Sequence, residues 1–450
     1  MSFSAVPAQG WLETRLTAVG VGARRWVPLA VLALPLVVGI AALQGLTITL
    51  AMFHGSDEFN YHYPTILRFA KELPFPDLAN YNASQTPLFH VLMAYVGRIT
   101  GYEIWRLRLV EALISYLLVL SVFRLLRTRL RMGLLQSIAL ALLFLLSPYV
   151  YAASFRLMTD NLALLFSVLA IDRLERFRES GKSGPLLAAA ACAGLALLTR
   201  QSTVFLFALA GLYALFAGSG VSGRTRTVAL GAILLAALPV VLLFLAWHGF
   251  IPPGGDKSTC GLCTARQGLS SPGLSISAAE LTVAVIGLYG AVLFAPTLPW
   301  RDPTALRSLL RGAVVAAAAC AALLIVSPAP PDSHPIGVKT TAGVVWTMAS
   351  HTPLLDGTPL LLWILVALAG PVLWWRFTIA SRRWLLVALL GCFLLSTLAI
   401  RLSWQKYVDP YALLALLITA QPHELDRPKR LIGAAVLALG SIAYTLSFVV

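Results

Sequence analysis

The chain has 450 residues, 58% of them hydrophobic and only 12% charged, and its mean hydropathy is +0.81. Soluble domains carry roughly 25% charged residues, so a water-soluble enzyme, a disordered chain and a disulfide-knitted secreted domain are excluded, and an all-α polytopic membrane protein remains. The net charge of +15 invites a nucleic-acid reading, but apolar runs of this length argue against a soluble nucleic-acid binder, and no nucleic-acid partner is expected.

A helix needs about 20 mostly apolar residues to cross roughly 30 Å of hydrocarbon. In chain order the sequence predicts spans at 27–53, 103–126, 134–152, 158–173, 185–199, 202–217, 227–247, 279–298, 311–327, 358–375, 384–401, 410–421 and 431–450. The first reads as a membrane helix rather than a cleaved signal, because its apolar run is long and no small-residue cleavage site follows it. The run 185–217 decides the topology. As one helix it reverses everything downstream. As two short helices with Arg200 at their tip, it leaves the Arg-rich loops near residues 24, 127, 176, 225, 307, 382 and 429 on one side. The positive-inside rule makes that side cytoplasmic.

The expected organisation is a single integral membrane domain over 1–450, with long polar loops at 54–102, 248–278 and 328–357 on the other face. No clean internal repeat is visible, which weighs against a repeat-built transporter. Attraction of the basic loops to anionic membrane lipids is expected. Cys260 and Cys263 form a CxxC with neither a second CxxC nor a histidine at zinc spacing, so they read as a local disulfide or as two loop thiols. Asn82-Ala83-Ser84 is a glycosylation sequon that matters only in a eukaryotic secretory pathway.

The first loop carries His54-Gly55-Ser56-Asp57-Glu58-Phe59-Asn60-Tyr61-His62-Tyr63-Pro64. Two adjacent carboxylates follow the first span, and Asp57 meets Tyr61, and Glu58 meets His62, at the spacing of a helix face. A carboxylate against apolar walls can accept a proton from a sugar hydroxyl, whereas a solvated helix start would favour the same acids through the macrodipole. Adjacent residues on a helix point about 100° apart, so one of the two would face an acceptor. A short apolar stretch at 91–100 reads as a helix lying on the outer surface.

Further along, Ser147-Pro148-Tyr149-Val150-Tyr151 with Met158-Thr159-Asp160, Thr199-Arg200-Gln201-Ser202, Gly255-Asp256-Lys257-Ser258 and Gln405-Lys406-Tyr407-Val408-Asp409-Pro410-Tyr411 all fall on the same expected face. Together with Asp57-Glu58 and Thr86-Pro87-Leu88 they resemble the GT-C class of membrane glycosyltransferases. Within it they resemble the family of the α-1,2-glucosyltransferase that adds the terminal glucose to the lipid-linked oligosaccharide. The similar motifs keep their order from about residue 55 to 411. The chain departs from that family where it reads Thr259-Cys260-Gly261-Leu262-Cys263 without a histidine, and at Ser403-Trp404 before Gln405-Lys406.

The resemblance implies a polyprenyl-phosphate sugar donor, a lipid-linked or glycan acceptor, and inversion at the anomeric carbon. Asp57 and Glu58 are the candidate bases. Lys257, Arg200, Arg401 and Lys406 are the candidates for the donor phosphate. Asp256, Ser258, Gln201, His62, Asp160 and Tyr407 are the candidates for sugar or acceptor. Cations can stabilise a phosphate leaving group without a metal, so no cofactor is expected. Glucose is the first choice of sugar. A GT-C transferase for mannose or arabinose, or a lipid or sugar transporter, is the alternative. The Ala/Leu/Arg-heavy composition fits a bacterial inner membrane with the site facing the periplasm; in a eukaryote the same face would be the lumen of the endoplasmic reticulum.

Overall fold

The computed structural model describes residues 23–45, 57–216, 221–255, 276–298, 300, 302–326, 343–379, 383–398, 405–425 and 428–446. The chain is an all-α polytopic membrane protein, and each of the expected spans overlaps a helix among the described residues, the stretch 134–152 being divided in two at Ser147. In order, these are α1 (Ala23–Ala42), α2 (Tyr63–Glu72), α3 (Leu88–Thr100), α4 (Ile104–Thr128), α5 (Leu134–Leu146), α6 (Pro148–Ala153), α7 (Asp160–Ser180), α8 (Ser183–Thr199) and α9 (Phe205–Phe216). There follow α10 (Gly223–Trp247), α11 (Ser277–Phe294), α12 (Pro303–Val326), α13 (Val344–Ala349), α14 (Leu360–Ile379), α15 (Arg383–Thr397), α16 (Gln405–Thr419) and α17 (Ile432–Leu446). Leu354–Leu355 and Thr358–Pro359 form a minimal antiparallel pair before α14.

Among the described residues, five segments are long and apolar enough to cross a bilayer by themselves: Ile104–Thr128, Gly223–Trp247, Ala278–Thr297, Leu360–Ile379 and Lys429–Leu446. Others, such as Ser183–Thr199, are shorter apolar helices that rely on neighbours to satisfy their ends. Prolines interrupt α1, α10, α14 and α16, a feature that packed membrane helices tolerate. Gly181, with φ +64°, closes α7 by donating its N–H to Phe177 O, the left-handed stop that favours glycine.

The run 185–217 is the expected helical hairpin. Arg200 is extended (φ −157°, ψ 124°) and ends α8, and a 3-10 turn over Gln201–Val204 starts the return. Both ends of the hairpin are tied to α7. Arg200 pairs with Asp160 at its start, and the Tyr213 hydroxyl donates to Glu175 near its end, at 2.5 Å. α8 and α9 are therefore antiparallel.

The two ends of the bundle differ chemically. One gathers the ion pairs Arg129–Asp172, Arg129–Glu179, Arg178–Glu175 and Arg376–Glu424, drawn from the Arg-rich loops and helix ends. Arg376, fully buried, also lies 3.9 Å from the centroid of Phe294. The other end carries the first loop, the α6–α7 junction, the α8–α9 turn and the start of α16.

Candidate functional site

Asp57 and Glu58 enter on an unusual local geometry. Glu58–His62 is a π-helical turn leading into α2, so the four-residue spacing expected between Glu58 and His62 is replaced by a wider one. The turn splits the pair. The Glu58 side chain is 1% exposed, and the Asp57 side chain is 25% exposed. Glu58 accepts from Arg108 Nε at 2.9 Å and Nη2 at 2.6 Å, and from the Leu157 N–H at 3.0 Å. It thus bolts the first loop to α4 and to the α6–α7 junction, and its oxygens are committed to the protein. Asp57 instead faces Lys406, whose Nζ lies 3.2 Å from Oδ2.

Arg200 completes the cluster. Its Nη1 lies 2.5 Å from Asp160 Oδ1, and its guanidinium lies 4.8 Å from the centroid of Tyr407. Lys406 Nζ lies 5.3 Å from the same ring. Two of the four expected phosphate cations therefore flank one aromatic side chain, beside one of the two carboxylates expected as base. Asp160 occupies the first turn of α7 and serves as the partner of Arg200. Lys257, Arg401, Asp256 and Ser258 lie outside the described residues, as do Cys260 and Cys263.

Two cavities meet at this row of charges. The larger holds about 500 Å³ and is mainly apolar, with Leu197, Phe207, Ile233, Ala237, Val240 and Phe244 among its walls and Arg200, Gln201 and Tyr407 among its polar lining. The smaller is bounded by Tyr149, Arg156, Met158, Asp160 and Lys406. Neighbours in sequence, Lys406 and Tyr407, thus line different cavities, and the Arg200–Asp160 pair spans from one to the other.

Two expected sugar contacts have other duties. The Gln201 amide donates to Ser84 O at 2.7 Å and to Phe250 O at 3.2 Å, joining three loops. His62 is buried, stacked on His90, with its Nδ1 2.9 Å from His90 Nε2. Burial, reinforced by Lys406 and Arg200, pushes the His62 imidazole down to about 3, and burial also holds His90 well below the usual histidine range. Both rings are buried against each other, so in this structure His62 braces the first loop. Thr86 does similar work, its hydroxyl donating to Leu197 O at 2.7 Å.

The Gly254-Gly255 pair also has a packing reason. A Cβ on Gly254 would come within 3.1 Å of Tyr81 O, and one on Gly255 within 3.1 Å of Ala83 O. Bare backbone here lets the loop after α10 lie close against residues 80–84.

Sequence reasoning missed Arg108, Arg156, Glu111 and Asp409. Each is a charged residue inside or beside an apolar span, which was the available signal. Arg156 is buried, and burial lowers its guanidinium to about 10, with Glu58, Asp57 and Arg108 as charged neighbours. Asp409 is fully buried and accepts from Ser147 Oγ at 2.8 Å, Gln405 Nε2 at 2.9 Å and the Tyr289 hydroxyl. Gln405 Oε1 in turn accepts from the Val345 N–H at 2.8 Å, so this node pins α13 to the start of α16. Among the described residues no group of three or more His, Cys, Asp or Glu is arranged to hold a metal ion.

The site is thus a carboxylate–cation row at one end of a helical membrane bundle, set against an apolar cavity. Residues 84–247 match the family model described as dolichyl-phosphate-mannose-protein mannosyltransferase. That segment carries Arg108, Arg156, Asp160 and Arg200. The match supports a membrane glycosyltransferase of the GT-C class. The chain is also similar to the crystal structure of ArnT from Cupriavidus metallidurans in the apo state, at 16% identity over 88% of this chain and 78% of that one, with a TM-score of 0.43. No curated protein matches the chain.

Proposed function

We propose that the chain moves a hexose, glucose in the first instance, from a polyprenyl-phosphate sugar to a hydroxyl of a lipid-linked or glycan acceptor. The transfer takes place on the non-cytoplasmic face and inverts the anomeric carbon. In a bacterium that face is periplasmic; in a eukaryote it is the lumen of the endoplasmic reticulum. The whole chain acts as one membrane domain, with the loops 54–102, 248–278 and 328–357 on the site's face.

The observation that carries this reading is the contact of Asp57 with Lys406, alongside Arg200 and Tyr407 at the border of the apolar cavity. The cavity takes the first isoprene units of the donor. Arg200 and Lys406 bind its phosphate, Arg200 in a bidentate manner and Lys406 as a point charge. Lys257 and Arg401 are further candidates for the phosphate, and Asp256 and Ser258 for the sugar. In the ligand-free arrangement each of the two cations already holds a carboxylate. The phosphate therefore takes over Lys406 and Arg200 and releases Asp57 and Asp160. Asp57 then accepts the proton of the acceptor hydroxyl as the new C1–O bond forms, and the C1–O bond to phosphate breaks to leave polyprenyl phosphate. Glu58 fixes Asp57 from behind through Arg108 and the Leu157 N–H.

A mannose donor is the second reading, favoured by the description of the family model that matches residues 84–247. Purified protein given polyprenyl-phosphate glucose and polyprenyl-phosphate mannose in separate reactions distinguishes the two. Release of polyprenyl phosphate from glucose donor alone supports the first, from mannose donor alone the second, and from neither rejects both.

A further inference from the structure

The start of α16 carries a network that the proposed reaction does not use. Gln405, Lys406 and Tyr407 open the helix, and Pro410 lies inside it. A proline brings no N–H to the helix ladder. The carbonyl of Lys406 therefore receives no bond from the residue four places on, and the turn that carries Lys406 is held less firmly by its own backbone. Side chains make up the difference. Gln405 and Asp409 are both fully buried, and Gln405 Nε2 donates to Asp409 Oδ2 at 2.9 Å, one helical turn away. Asp409 also accepts from Ser147 Oγ at the α5–α6 junction and from the Tyr289 hydroxyl on α11. On its other side Gln405 Oε1 accepts the Val345 N–H at 2.8 Å, and the neighbouring Val344 N–H donates to the Tyr149 hydroxyl at 3.1 Å. Two successive N–H groups of α13 thus end on side chains that flank Lys406. Gln405 precedes it in sequence, and Tyr149 lines the smaller cavity with it.

The orientation of the Gln405 amide is forced. A backbone N–H can only donate, so Oε1 must face Val345, which leaves Nε2 for an acceptor. Asp409 supplies that acceptor and is itself held by two further donors. Gly343 lets α13 come this close: its φ is +123°, and a Cβ there would collide with Gln405 Cβ and the Tyr149 hydroxyl.

We propose that Gln405, oriented by Asp409, is a positioning residue for Lys406, and that through it α13, in the third expected loop, sets the affinity of the site for the donor phosphate. Gln405 touches no reacting atom; it fixes the turn from which Lys406 reaches toward Asp57. Giving the phosphate to Lys406 rests on the proposed function, but neither the transfer step nor the sugar enters. The role is geometric and does not depend on the charge of Asp409. Asp409→Asn keeps an oxygen that can accept from Gln405 and gains an NH2 that can meet the Ser147 hydroxyl, whereas Asp409→Leu keeps neither.

The test uses the purified full chain, with polyprenyl phosphate alone as the probe. Gln405→Met, of similar length but without an amide, and Asp409→Leu are expected to weaken its Kd several-fold, and Asp409→Asn to regain most of that loss. In a Lys406→Met background, Gln405→Met should cost nothing further, because the two act through one group. Hydrogen exchange gives a second readout: the amides of Val344 and Val345 should exchange faster in Gln405→Met than in wild type, with exchange in α7 unchanged. Should these variants fail to accumulate, Gln405→Asn, whose amide is too short to span Val345 and Asp409, and Asp409→Ala take their places. An unchanged Kd, independent losses that multiply in the double variant, or Asp409→Asn as weak as Asp409→Leu each overturns the positioning role. Unchanged exchange at Val344 and Val345 overturns the link to α13. A chain that binds polyprenyl phosphate with the expected pattern but transfers no sugar rejects the proposed function and leaves this inference standing; one that binds no polyprenyl phosphate rejects both.

Discussion

Lys406 Nζ lies 3.2 Å from Asp57 Oδ2, across 349 positions of sequence. The same lysine flanks the Tyr407 ring that Arg200 faces. The contact therefore joins the first loop to the start of α16 and sets a carboxylate beside two cations.

Asp57→Asn keeps the shape of the side chain and removes its basicity. Loss of a positioned general base costs roughly 10²–10⁴-fold, so kcat is expected to fall in that range with donor KM altered far less. The measurement is polyprenyl phosphate release at saturating donor. Wild-type turnover in Asp57→Asn would exclude it as the base.

Glu58→Gln should act on folding instead. It leaves Arg108 as a buried cation without its counter-charge, and breaking such a pair costs about 3–5 kcal/mol. A lowered Tm in detergent is the expected result, with a Glu58→Gln, Arg108→Met double variant regaining part of the loss. If Tm is unchanged while activity disappears, Glu58 is itself a reacting group.

Stability should also fall on acidification. His62 titrates at about 3 in the fold, and His90 is lowered in the same direction, whereas an unfolded histidine titrates near 6.5. Between those values the unfolded chain binds more protons than the native one. The contribution is complete above about pH 6.5 and is lost as pH falls toward 3, with a slope of up to about 1.4 kcal/mol per pH unit for each ring. Thermal unfolding of His62→Gln, whose side chain does not titrate, should show a shallower decline over this window than wild type. Equal slopes would remove His62 as a source.

The cavity can be filled from α10. Ala237→Phe places a ring among Ile233, Val240 and Phe207. Donor KM should rise about tenfold or more for a long-chain carrier, equivalent to roughly 1.4 kcal/mol of lost binding, and less for a short-chain one. Equal effects on both chain lengths would mean that the isoprene tail lies elsewhere.

Much of the bundle was legible because apolar runs and their interruptions are properties of the sequence itself. Arg200 marked the hairpin turn correctly, since a charge in the middle of a long apolar run has few tolerable places. The side-chain pairing was not legible. Asp57 and Glu58 are adjacent and chemically alike, and only the π-turn at Glu58–His62 decides that one is sealed and the other partly open. Gln201 and His62 sit in motif positions, but their polar atoms are consumed by Ser84 O, Phe250 O and His90. Arg108 was visible as a charge in a span, but its pairing depends on Glu58 arriving from fifty residues earlier.

The hairpin of α8 and α9 is a ruler read against α7. Asp160 and Glu175 lie fifteen residues apart on one helix, about 22 Å at 1.5 Å per residue, and they hold Arg200 and Tyr213. One residue added to α9 would turn everything beyond it by about 100° and swing Tyr213 away from Glu175. One removed from α8 would draw Arg200 off Asp160. The number of residues in these two short helices is therefore constrained as tightly as their identities, and an insertion here should disturb the site from a position where no polar residue is touched.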